Sequence, residues 1–96
     1  MDQVFEGTPR VQVRLEGRKA SYGEIENDWG SRMQWRVTRN GVVIATPSAR
    51  AAESYEHPTE EPGRYVLSLE MWKYEGFRNG TLGQYVSVSN EVGYTI

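Results

Sequence analysis

The sequence predicts an all-β, antiparallel fold of about seven short strands, a sandwich or a small barrel, and three observations predict it. Apolar residues alternate with period two along much of the chain, and no stretch carries a convincing helical stripe. Ten glycines and four prolines in 96 residues cut the chain into many short elements. Asn40-Gly41 stands between two β-rich runs, a strong hairpin signal because both residues tolerate positive φ.

Each element follows from its own pattern. Val11, Val13 and Leu15 fall on one face of a first strand, and Gly17 and Lys19 read as its turn. Residues 21–26 form a weaker second strand in which Tyr22 and Ile25 are out of phase, so a bulge is expected there. Residues 27–31 are a loop by composition. Met33, Trp35 and Val37 point inward from the third strand, and residues 42–46 return after the hairpin. Residues 48–53 lack an apolar stripe and read as a connection into a short strand ending near Tyr55. Residues 58–63 are polar and turn-rich, and they open the best strand of the chain. Tyr65, Leu67, Leu69 and Met71 share its inner face, and Val66, Ser68, Glu70 and Trp72 its outer face. Residues 73–83 read as a long hairpin loop. A strand over residues 85–89, a bulge at Asn90-Glu91 and an alternating Val92, Tyr94 and Ile96 complete the chain.

Composition narrows the function. The length fits one domain spanning residues 1–96, with residues 1–10 read as a flexible N-terminal segment. A net charge of −2 gives no basic field for nucleic acid, so no nucleic-acid partner is expected. No apolar run approaches the roughly 20 residues needed to cross a bilayer, so no membrane insertion is expected. Residues 1–6 have neither the basic start nor the apolar stretch of a signal peptide. The chain is therefore read either as cytoplasmic or as a module of a longer protein. With no cysteine, thiolate chemistry and sulfur-ligated metals are absent. No constellation of base, nucleophile or metal ligands stands out, so neither an enzyme nor a cofactor is expected. His57, flanked by Glu56 and Pro58, reads as a loop side chain. Glu26, Asn27 and Asp28 gather hard oxygen atoms but read as a solvated loop ahead of a calcium site. Asn79-Gly80-Thr81 fits the N-glycosylation triplet.

Two stretches carry a family resemblance. Trp35 on the third strand is followed by the Asn40-Gly41 hairpin, and Glu61-Pro62-Gly63-Arg64-Tyr65-Val66-Leu67-Ser68-Leu69 opens the long strand. This second run resembles the "proline-glycine-x-tyrosine" entry to the penultimate strand of polycystic-kidney-disease-type (PKD) and fibronectin-type-III-like domains. The likeness covers about residues 33–96, and residues 88–96 look like the last strand of such modules. The PKD-type Trp-Asp-Phe-Gly-Asp-Gly-like run is missing, because Arg36-Val37-Thr38 follows Trp35. The resemblance implies an immunoglobulin-like β-sandwich with Tyr65 as a tyrosine corner, its hydroxyl bonded to nearby backbone. It also implies a non-catalytic accessory or spacer module, secreted or at the cell surface, whose partners are the neighbouring domains of a parent protein. A monomer is expected.

Aromatic residues supply the candidate site. In such an arrangement the third, the long and the following strands are neighbours, and their outer faces offer Gln34, Arg36, Ser68, Glu70, Trp72, Tyr85 and Ser87, with Tyr74 and Phe77 just beyond. Flat rings beside Arg, Gln and Glu suit the recognition of carbohydrate or protein. The candidate ligand-binding residues are Trp72, Tyr74, Phe77, Arg36 and Glu70. Two readings stand side by side: a binding face, or a Trp72 folded over the sheet edge or capped by the long loop.

Overall fold

The period-two pattern becomes eight strands and no helix in the computed structural model, which describes residues 7–51, 53–74 and 83–96. In chain order they are β1 (Arg10–Glu16), β2 (Lys19–Glu26), β3 (Met33–Arg39), β4 (Val42–Ala45), β5 (Ser54–Glu56), β6 (Arg64–Tyr74), β7 (Gly83–Ser87) and β8 (Val92–Thr95). They form two antiparallel sheets. One has the order β1-β2-β5; the other has the order β4-β3-β6-β7, with β8 also paired to β6.

The eighth strand comes from an interruption. Glu70 to Tyr74 pair with β7, whereas Arg64 to Leu67 pair with β8. β3 occupies the opposite edge of β6 from Tyr65 to Met71. β7 and β8 are thus two halves of one edge line, broken at residues 88–91, close to the expected bulge. At the break the chain turns toward the other sheet. Val88 is buried, and its carbonyl accepts the amide of Val11 at 2.9 Å. Asn90 accepts the Val13 amide on Oδ1 at 2.8 Å and donates Nδ2 to the Val13 carbonyl at 3.0 Å. One side-chain amide therefore acts as a strand partner for β1 and ties the two sheets together.

One further irregularity falls where the sequence lost phase. Val11 pairs with Ile25 but Val13 with Tyr22, so β2 is bulged between them. The extra residue lets Tyr22 and Ile25 both pack on the core, which a regular strand would forbid. At the β3–β4 hairpin, Asn40 has φ 53° and Gly41 φ 86°, the left-handed pair that matches strand twist. Pro9 is buried and Arg10 already pairs with Glu26.

The core draws on both sheets. Val11, Val13 and Ala20 meet Met33, Trp35, Val37, Leu67, Leu69 and Met71, and Ala49 joins them from the 48–53 connection. Trp35 is fully buried, with Tyr22 of β2 at 5.9 Å and Tyr55 of β5 at 6.4 Å between ring centroids. The line of rings continues from Tyr55 to His57, Tyr65 and Tyr94, the last two stacked at 5.3 Å. Tyr65 is buried, and its hydroxyl donates to the Glu61 carbonyl at 2.8 Å. β4 lies at a sheet edge and is the least covered strand, with Val42, Val43 and Ile44 at 65%, 44% and 42% exposure.

Candidate binding face

The β3–β6 register places four of the five candidate residues on one surface. Gln34 lies opposite Glu70 and Arg36 opposite Ser68, and Trp72 pairs with Tyr85 across β7. Their side chains share the outer face because Met33, Trp35, Leu69 and Met71, at the alternate positions, are in the core. Gln34 Nε2 donates to Glu70 Oε1 at 3.0 Å, and Arg36 Nε stands 3.6 Å from Glu70 Oε2. Glu70 is therefore held by two side chains of β3. Tyr74, the last residue of β6, is 42% exposed. Phe77 lies outside the described residues, as does Asn79-Gly80-Thr81.

Trp72 is half-buried, and its surroundings are specific. The guanidinium of Arg32 sits 4.2 Å from the ring centroid, and Tyr85 meets the indole at 5.0 Å and 75°, edge to face. The same guanidinium is 6.0 Å from the Tyr85 ring. At β7, a Cβ on Gly83 would collide with the Lys73 carbonyl oxygen and lie 2.9 Å from Trp72 Nε1, so only glycine leaves the indole room. Trp72 thus faces outward, as the alternation requires, with one ring face under a cation.

A network behind the face fixes Arg32. Trp72 N donates to the Arg32 carbonyl at 2.9 Å, and Ser31 Oγ donates to the Trp72 carbonyl. Arg50 donates to the Ser31 carbonyl and binds both carboxylate oxygens of Asp28 at 2.9 and 3.0 Å. Those hydrogen bonds from Arg50 hold the Asp28 carboxyl below its usual pKa. The carboxylate is thereby committed to a guanidinium and to the Gly30 amide at 2.8 Å. His57 also has a structural setting: its Nδ1 is 3.0 Å from the Tyr55 hydroxyl, and its ring lies between Tyr55 and Tyr65.

Two arginines were missing from the set read in the sequence. Arg32 precedes β3 and shares the parity of Gln34 and Arg36, which is the signal that identifies it. Arg64 opens β6 with the parity of Glu70 and Trp72. Its guanidinium lies across Gly93, where a Cβ would approach it to 3.1 Å, and its Nη1 donates to Thr95 Oγ1 at 3.4 Å. No protein-family model, curated protein or solved structure matches the chain.

Proposed function

We propose that the chain is a non-catalytic, immunoglobulin-like β-sandwich module, similar to fibronectin-type-III-like domains, that serves as an accessory or spacer in a larger secreted or cell-surface protein. The strand order supports this reading: β1-β2-β5 on one side, β4-β3-β6 and the interrupted β7/β8 line on the other. The hydroxyl of Tyr65, bonded to the Glu61 carbonyl at the entry to β6, is the observation that carries it, because a tyrosine corner sits at that corner of such modules. An accessory module of this kind folds without help from its neighbours. Urea unfolding followed by tryptophan fluorescence and far-UV circular dichroism tests this, with one coincident transition expected. A chain that is unstructured alone and orders only beside another domain contradicts it.

A second reading is favoured by a separate observation. Tyr74 is exposed, Trp72 is half-buried, and Arg32, Arg36, Gln34 and Glu70 share their outer sheet face. The module then also binds a ligand, carbohydrate before protein, through this face. A titration that quenches tryptophan fluorescence in the parent and not in Trp72→Ala supports it, and silence across a panel of soluble oligosaccharides removes it.

A further inference from the structure

We infer that the outer face of the β4-β3-β6-β7 sheet takes a linear acidic oligosaccharide, laid along β6 with its anionic groups on Arg64, Arg36 and Arg32. The inference rests on the second reading above and names the ligand class for that face. Its basis is the register. Arg64 stands in β6 itself, Arg36 lies opposite Ser68, and Arg32 is bonded through its carbonyl to Trp72. Residues 64, 68 and 72 are four apart and share one face. The three cations therefore recur about every 14 Å over a stripe of about 27 Å, at roughly 3.4 Å per residue.

The charge balance of the stripe runs against that of the chain. Arg36 and Arg64, on the outward positions of β3 and β6, and Arg32 just before β3 meet one carboxylate on those positions, Glu70, whereas the whole chain carries −2. Glu70 is occupied by Gln34 and Arg36. Neither Arg32 nor Arg64 pairs with a carboxylate among the described residues; one lies on an indole and the other reaches only a threonine hydroxyl. Glu91 sits in the break between β7 and β8, outside the paired register. A net positive stripe on a net negative molecule selects an anion and orients it along the strand.

The type of contact available selects a saccharide. β6 is paired with β3 on one edge and with β7 and β8 on the other, so it offers no free edge to a peptide strand. Recognition here falls to side chains alone: the rings of Tyr74, Tyr85 and Trp72, two guanidiniums that meet no carboxylate among the described residues, and the Gln34–Glu70–Arg36 cluster. Rings stack on the apolar face of a sugar while the cations take its carboxylate or sulfate groups.

Isothermal titration at low and high salt tests this with four probes: a hyaluronan hexasaccharide, a heparin hexasaccharide, neutral cellohexaose and poly-L-glutamate. At least one acidic hexasaccharide is expected to bind, at least tenfold more tightly than cellohexaose, with affinity falling as salt rises. The tighter of the two acidic probes tells carboxylate from sulfate. Arg32→Gln and Arg64→Gln are each expected to weaken binding by roughly five- to tenfold. Arg14→Gln, the same charge change at an exposed position of β1 in the other sheet, is expected to retain it. Amide spectra of each variant establish that the fold is intact. Equal binding of cellohexaose, lost in Trp72→Ala, overturns the acidic class while leaving the binding face standing. Poly-L-glutamate binding as tightly as the sugars overturns the saccharide assignment. Failure of all four probes overturns both the inference and the reading beneath it.

Discussion

Trp35 links the sheets at the scale of single residues, since its ring touches Tyr22 on β2 and Tyr55 on β5 while its own strand belongs to the other sheet. Trp35→Ala is expected to cost about 3–5 kcal/mol, a large share of the roughly 5–15 kcal/mol that holds a small domain together. Urea denaturation measures it, and an unchanged midpoint shows that the ring is dispensable. The buried Nε1 of Trp35 has no hydrogen-bond partner among the described residues. Both Trp35→Phe and Trp35→Ala remove that unpaired group, and Trp35→Phe should cost less because its ring leaves the smaller cavity. Tyr65→Phe deletes one hydroxyl and its 2.8 Å bond to Glu61, and a loss of about 1 kcal/mol is expected. A neutral change there removes the main support for the tyrosine corner. Both residues were legible in the sequence, because each sits at an inward position of a cleanly alternating strand.

The elements were legible wherever period two was clean, and at one place where it failed. The lost phase of Tyr22 and Ile25 marked the β2 bulge, and Asn40-Gly41 marked the turn between β3 and β4. What local pattern does not carry is the partner of a distant element. Asn90 bonds Val13 across 77 positions, and nothing near either residue signals that contact. Likewise, Ala49 is fully buried in a stretch whose composition reads as a surface connection. Asn90→Ala leaves the Val13 amide and carbonyl without their partner, at a cost of about 1–3 kcal/mol. Amide hydrogen exchange at Val13 is expected to speed up with that substitution, and unchanged protection there contradicts the role of Asn90 as a strand substitute. Arg32 and Arg64 stand at strand ends, where alternation gives way to loop composition, which is why the candidate site read from sequence stopped at Arg36.

For the whole molecule, pH acts through a few groups of opposite tendency. Arg50 holds Asp28 below its usual 3.8, so this pair stabilises the fold above that value. The contribution is lost as pH falls through the lower folded pKa, and Asp28→Asn should flatten the acid side of the stability profile. Burial raises Tyr22, Tyr55 and Tyr94 above their usual 10.0. Their neutral forms suit the fold, so stability is full below pH 10 and falls as pH rises through their folded values. Urea midpoints across both limbs measure this, and a profile flat above pH 10 contradicts the partial burial of these tyrosines. The proposed binding face spans three strands, so its most direct test is residue-resolved. In an amide-shift titration with an acidic hexasaccharide, the shifts are expected along residues 32–36, 64–74 and 85–87, with β1, β2 and β5 silent. Shifts centred on the β1-β2-β5 sheet, or scattered over the whole molecule, would contradict the account.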